Sequence, residues 1–153
     1  MGLKYYEEFN VKIPRDEVIE ISNIVSDCSE DVFASTVKVL TCGSFRRGRL
    51  DSGDVDMLLT TKDPKGEHKN ILMTLVRALE RVGFLKERLG ADRVAKTGSL
   101  TYLGVCRVPG EGRKHRRIDI KVYPPQQFGY AVMYFTGSFQ LNIAMRSIAL
   151  ANG

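Results

Sequence analysis

Cysteine and histidine are scarce in this chain, and it has no long apolar run. Each shortage argues against a class of protein. The three cysteines, Cys28, Cys42 and Cys106, lie far apart, form no CxxC pair and are odd in number, so a disulfide framework is not expected. Only His68 and His115 could join them at a metal, which argues against a zinc site. The expectation is three reduced thiols in an intracellular core. No apolar stretch approaches the roughly 18 residues of a membrane span. The opening Met1-Gly2-Leu3-Lys4-Tyr5-Tyr6 has no apolar segment of the kind a secretory signal carries. Repeats, low-complexity tracts and linkers are also missing.

What is present is ordinary globular material. The 153 residues are 43% hydrophobic and 27% charged, which excludes disorder as the main state. A chain of 17.2 kDa should expose roughly 7,800 Å² folded against about 25,000 Å² unfolded, enough burial for a core without crosslinks. Length points to one domain, or one domain with a short extension. The net charge of +5 is unevenly spread. Residues 1–100 are balanced, the first 31 are acidic, and residues 101–153 carry 7 basic against 2 acidic side chains. A basic C-terminal third suits a polyanionic partner or, equally, a solvated basic surface.

Periodicity supplies the elements. Val18, Ile21, Val25 and Cys28 recur at helical spacing after Pro14. Strands are expected over 37–42, 54–60, 84–88, 93–97, 99–108 and 115–123, and turns at 63–66 and 109–112. Ile71, Leu75, Leu79 and Val82 mark one face of a helix over 68–82 that stops at Gly83. Pro124-Pro125 opens a helix over about 126–135, Thr136-Gly137-Ser138 interrupts, and a last helix covers about 139–150. The fold class is α+β, with a mixed or mostly antiparallel sheet packed against helices.

Four elements carry chemistry. Asp54 and Asp56 are two apart in a strand and leave the same face, while Val55, Met57 and Leu59 take the other. Adjacent carboxylates repel, and a divalent cation is the simplest way to keep both ionised. In Arg116-Arg117-Ile118-Asp119-Ile120-Lys121, alternation puts Arg117, Asp119 and Lys121 on one face, so Asp119 could add a third carboxylate for two Mg²⁺ ions. Gly43-Ser44-Phe45-Arg46-Arg47-Gly48 combines a glycine, a hydroxyl that could cap a short helix, and arginines. These could hold a triphosphate tail. In the last helix Asn142 and Arg146 are i,i+4 and project together, suited to the minor-groove edge of a base pair. Leu141, Met145 and Ile148 face elsewhere. Taken singly, each element also fits a bland surface role; the combination of strand, G-S and D-x-D is a pattern for nucleotidyl transfer.

These motifs, in this order, resemble the catalytic portion of family X DNA polymerases of the polymerase beta type. The resemblance rests on Cys42 to Gly48 with Gly53-Asp54-Val55-Asp56, on Arg116 to Ile120, and on Tyr134-Phe135-Thr136-Gly137-Ser138, with Gly2 to Tyr6 and Ile13-Pro14-Arg15 in support. It covers about residues 2–150. It implies a nucleotidyltransferase-type palm over 1–123 and the start of a thumb, or nucleotide-selection subdomain, over 124–153. It further implies template-directed DNA synthesis in repair, with a deoxynucleotide passing from dNTP to a primer 3′-OH. By the same resemblance Asp54, Asp56 and Asp119 would bind Mg²⁺ (or Mn²⁺), and Gly43, Ser44, Arg47 and Gly53 the phosphates. Tyr134, Phe135 and Gly137 would line the sugar, Asn142 would meet the base, Arg117 the primer end and Arg146 the template. The implied partners are gapped primer–template DNA and dNTP, with no membrane, in the nucleus or another DNA-containing compartment. Lys121 stands where the beta-type enzymes have arginine, and Phe139 where they have an acid. The family's lyase and DNA-binding helical domains have no counterpart, so a fragment with weak activity is expected. The alternatives are another nucleotidyltransferase or a non-catalytic nucleotide- and metal-binding fragment. On DNA, the run Arg113 to Arg117 is expected to bind by counterion release.

Overall fold

The computed structural model describes residues 4–63, 70–90, 93–94 and 100–152. The order begins with α1 (Tyr6–Phe9), β1 (Ile13–Pro14), α2 (Arg15–Phe33) and β2 (Val37–Thr41). Next come α3 (Gly43–Arg46), β3 (Asp51–Ser52), β4 (Val55–Thr61) and α4 (Ile71–Arg81). The chain continues through β5 (Leu85–Arg88), β6 (Arg93–Val94), β7 (Leu100–Cys106), β8 (Arg116–Val122), α5 (Pro125–Thr136) and α6 (Phe139–Asn152).

The main sheet runs β2-β4-β8-β7-β5, with β6 paired to β7. All pairings are antiparallel except β4 with β8, which are parallel and place Asp56 opposite Asp119. Strand alternation decides what each face carries. Met57, Leu59, Ile118, Ile120 and Val122 point to one face, where α2 supplies Val18, Ile21 and Val25 and α4 supplies Ile71, Leu72, Leu75, Val76 and Leu79. This is the main core. On the other face, the one bearing Asp56, α5 sets Phe128 and Ala131 against Leu58 and Cys42. Each fully buried aliphatic or aromatic side chain of this kind contributes about 1.5–3 kcal/mol before the entropy of ordering is subtracted.

Several expectations shift. Val82 does not share the buried face of α4; it follows the last helical turn and is exposed. Asp54 precedes β4 rather than lying in it. β1, β3 and α1 were not anticipated, because two- and four-residue elements carry no period. The expected turn at 64–66, the strand residues 95–99 and His68 lie outside the described residues. All three cysteines are free thiols; Cys42 and Cys106 are buried and Cys28 half-buried. Among the described residues, no helix is long and apolar enough to cross a membrane. α6 contains no buried residue.

Candidate functional site

The two strands that run parallel bring two distant carboxylates side by side. Asp56 comes from β4 and Asp119 from β8, in register. Lys121, two residues beyond Asp119 and therefore on the same face, donates from Nζ to Asp56 Oδ1 at 2.8 Å and to Asp119 Oδ2 at 3.0 Å. Asp54, just before β4, accepts from the guanidinium of Arg117. The acids and cations of this face are thus interleaved. Burial pushes the Asp56 carboxyl above the usual range; Lys121 opposes this, and Asp54 and Asp119 add to it. Burial alone would lower Lys121, but the two carboxylates outweigh it and hold the ammonium above its ordinary value.

A turn lies over the acids. Cys42 donates its backbone N–H to the Asp56 carbonyl at 2.8 Å, fixing the start of α3 on β4. Gly43 has φ +60, and a Cβ there would stand 2.6 Å from Asp56 Oδ2. Only glycine meets both conditions without strain. The Ser44 hydroxyl does not cap α3 as expected; it donates to Ser52 Oγ at 2.8 Å. The Cys42 thiol beneath is pushed up to about 11, chiefly by burial and then by Asp56, so it stays protonated.

The end of α5 closes the other side. Arg47 donates to the Thr136 carbonyl at 2.6 Å, tying α3 to the α5–α6 junction. Asn142 Nδ2 donates to the Tyr134 carbonyl at 2.7 Å, while its buried Oδ1 has no partner among the described residues. Together these residues form an open cleft of ≈ 310 Å³ lined by Gly43, Ser44, Arg47, Asp54, Asp56, Tyr134, Phe135, Gly137, Phe139 and Asn142. Arg146 is exposed on α6, one turn past Asn142, and donates to the Asn142 carbonyl at 3.3 Å. Within α6, exposure does not follow the expected division of faces. Asn142 and Met145 are half-buried, whereas Leu141, Arg146 and Ile148 are exposed.

Residues 12–125 match the family model described as DNA polymerase beta palm. The chain is 41% identical over 153 residues to DNA polymerase lambda of Rattus norvegicus, covering all of this chain and 26% of that protein. It is 34% identical over 157 residues to DNA polymerase lambda of Arabidopsis thaliana, covering all of this chain and 29% of that protein. With the DNA polymerase type-X family protein pol4 of Schizosaccharomyces pombe, identity is 30% over 142 residues, 90% of this chain and 26% of that protein. The chain is a palm of the family X DNA polymerases. It spans about a quarter of the length of the curated relatives it matches.

Within this palm the donor set suits a hard divalent cation, being carboxylate oxygen throughout. The missing Cβ of Gly43 leaves Asp56 Oδ2 uncrowded. Even so, among the described residues no three Asp, Glu, His or Cys side chains stand as a ready metal cluster. The three aspartates were expected to converge. Two of them do meet, and the cation between them is Lys121; the third is engaged by Arg117.

Sequence reasoning missed four residues beside the cleft. Lys12 and Arg49 line an adjoining groove of ≈ 660 Å³ that shares Ser44 and Arg47 with it and extends along Gly53. Ser52 holds the Ser44 hydroxyl. Arg15 braces the α3 loop by donating to the carbonyls of Phe45, at 2.8 Å, and Arg49, at 3.1 Å, with its guanidinium 4.0 Å from the Phe45 ring centroid. Lys12 and Ser52 come to the same groove through the β1–β3 pairing, Ile13 with Ser52, which is too short to leave a sequence signal.

Proposed function

We propose that this palm serves template-directed DNA synthesis in repair, transferring a deoxynucleotide from dNTP to the 3′-OH of a primer in gapped DNA. The observation that carries the reading is the single cleft in which Asp54 and Asp56 lie beneath Gly43, Ser44 and Arg47 and face Tyr134, Phe135, Gly137 and Asn142. In this reaction the 3′ oxygen bonds to the α-phosphorus, and the bond to the β-phosphate breaks to release pyrophosphate. Catalysis of such a step is mostly positioning and charge stabilisation.

Each residue then has a task. Ser44, Arg47 and the Gly53 backbone hold the β- and γ-phosphates, with Lys12 and Arg49 adding positive charge alongside. Tyr134, Phe135 and Gly137 flank the sugar. Asn142, whose buried Oδ1 has no partner among the described residues, addresses the base. Arg117 and Arg146 meet the primer and template strands. Asp54, Asp56 and Asp119 would hold Mg²⁺ or Mn²⁺, which when bound supplies charge neutralisation at the phosphates. Lys121 and Arg117 pair with these carboxylates until a cation takes their place. Residues 124–153 would form the start of a nucleotide-selection subdomain. Such a protein would work in the nucleus or another compartment that contains DNA.

The test has two parts. Binding of a fluorescent dNTP analogue with Mn²⁺, measured without DNA, should be clear and should vanish in Asp56→Ala. Extension of a gapped primer–template, with Asp119→Ala as blank, should be detectable but slow. No residue of α6 is buried, and Arg146 is exposed, so this helix is lightly held against the palm. Nucleotide binding unaffected by Asp56→Ala would overturn the reading.

A further inference from the structure

The basic run expected to bind DNA is largely engaged by the chain's own acids. Arg113 pairs with Glu20 of α2 at 2.8 Å, with both side chains well exposed. His115 donates its backbone N–H to Glu8 of α1, and its ring Nδ1 lies 3.1 Å from Glu8 Oε1. Arg116 is buried and makes a two-pronged contact with Glu17, at 2.8 and 2.6 Å. Arg117 reaches Asp54. The acidic N-terminus and the basic C-terminal third neutralise one another here. Lys114 is exposed and has no partner among the described residues.

The same turn gathers two more cations. Arg107, just past β7, and Lys86, exposed at the irregularity in β5, line a cleft of ≈ 380 Å³ together with Gly83, Pro109 and Gly110. Arg107 donates to the Gly110 carbonyl at 3.3 Å, and the Arg113 side chain lies over Gly110, 3.5 Å from where a Cβ would stand. Lys86, Arg107 and Arg113 therefore belong to one surface, with exposed Lys114 next to Arg113 in the chain; Glu20 pairs with Arg113, Glu8 acts on Arg107, and Glu111 is exposed in the turn. No aromatic side chain lines the cleft, so it offers no platform for stacking a base and nothing that reads sequence.

We propose that this surface is a second DNA contact of the palm, separate from the cleft at Asp56. It binds backbone phosphates of duplex DNA through Lys86, Arg107 and Lys114, and Arg113 joins them when a phosphate displaces Glu20. The proposal rests on the DNA-synthetic reading above. An exposed ion pair such as Arg113–Glu20 is worth little in water, so a phosphate can compete for the guanidinium. The buried Arg116–Glu17 pair stays closed, because separating it would strand two charges.

The experiment is fluorescence anisotropy of the full chain with a labelled blunt duplex at 50 to 200 mM NaCl. Circular dichroism checks the fold of each variant, and nucleotide–Mn²⁺ binding is measured in parallel. Each phosphate contact contributes a slope of about 0.9 in log affinity against log salt, so losing one changes the 50-to-200 mM affinity ratio by about 3.5-fold. Lys86→Gln and Arg107→Gln should each flatten the slope by about that amount. Glu20→Gln should tighten binding at 50 mM and steepen the slope, and adding Arg113→Gln should abolish the gain. Nucleotide binding should not change in any of them. Slopes unaffected by Lys86→Gln and Arg107→Gln, or a Glu20→Gln variant that binds like wild type, would overturn the proposal while leaving the nucleotide site standing. Wild type that binds duplex as described but no nucleotide would overturn the proposed function and support this surface alone.

Discussion

Lys121→Met is the sharpest probe of the cleft, because it removes the one cation shared by Asp56 and Asp119. The ammonium lies 2.8 and 3.0 Å from the two carboxylates and is only 9% exposed. Methionine keeps the unbranched shape and deletes the charge. The acids then face each other across neighbouring strands, about 4.8 Å apart. At an effective dielectric of about 20, two charges roughly 5 Å apart repel by about 3 kcal/mol. That agrees with the roughly 3–5 kcal/mol seen when a buried pair loses one partner. For a domain of this length, melting should drop by about 6–12 °C in EDTA.

Divalent metal should reverse the effect. An ion at about 100 times its Kd stabilises by about 2.7 kcal/mol, enough to recover most of the loss. In wild type the ion must displace Lys121, so the same addition should raise melting less. Thermal unfolding in EDTA and in Mn²⁺ reads both quantities. Lys121→Met with Asp119→Asn serves as control: it should be more stable than the single variant in EDTA and respond less to metal. If Lys121→Met melts with wild type in EDTA, or if Mn²⁺ shifts both proteins equally, the view that Lys121 occupies the place of a metal is wrong.

Three further outcomes are expected. Gly43→Ala meets Asp56 Oδ2 at 2.6 Å in a left-handed backbone, whereas Gly48→Ala shares the positive φ with nothing within 4 Å; both should lose about 1–2 kcal/mol in urea unfolding, but only Gly43→Ala should weaken nucleotide–Mn²⁺ binding, by tenfold or more. Glu17→Gln strands the buried Arg116 charge and should cost about 3–5 kcal/mol, while Glu17→Leu with Arg116→Met should cost less than the single change; equal losses would mean the pair is not a charge pair in energetic terms. Burial would raise the Glu8 carboxyl, but hydrogen bonds from His115 outweigh it and hold it below its ordinary 4.5. A depressed carboxyl gives stability that is present above that value and lost as pH falls below it, so acid unfolding followed by circular dichroism should be flatter in Glu8→Gln.

How much of this was legible in the sequence depends on the distance over which each interaction acts. Asp56 and Asp119 could be assigned to faces because strand alternation is local, and the α4 core stripe followed from its period. The register that sets Asp56 beside Asp119 is a pairing across 63 positions, and no periodicity encodes it. In the sequence Lys121 is only a cation on the same face as Asp119, since the second acid it serves lies on another strand. The same holds for the basic run. Arg113, Arg116 and Arg117 look equivalent as neighbours, yet alternation sends Arg116 into the core against Glu17 and leaves Arg117 at the cleft. A charge count over that run therefore overstates what it can offer to DNA. The acids that answer Arg113, Arg116 and His115 sit 93 to 107 residues earlier, in helices whose own pattern declares only an amphipathic face, and the one that answers Arg117 lies 63 residues earlier. Charge that is separated along a sequence is charge the fold can pair; at the turn after β7, Lys86 and Lys114 have no acidic partner among the described residues, so an external polyanion meets little competition there.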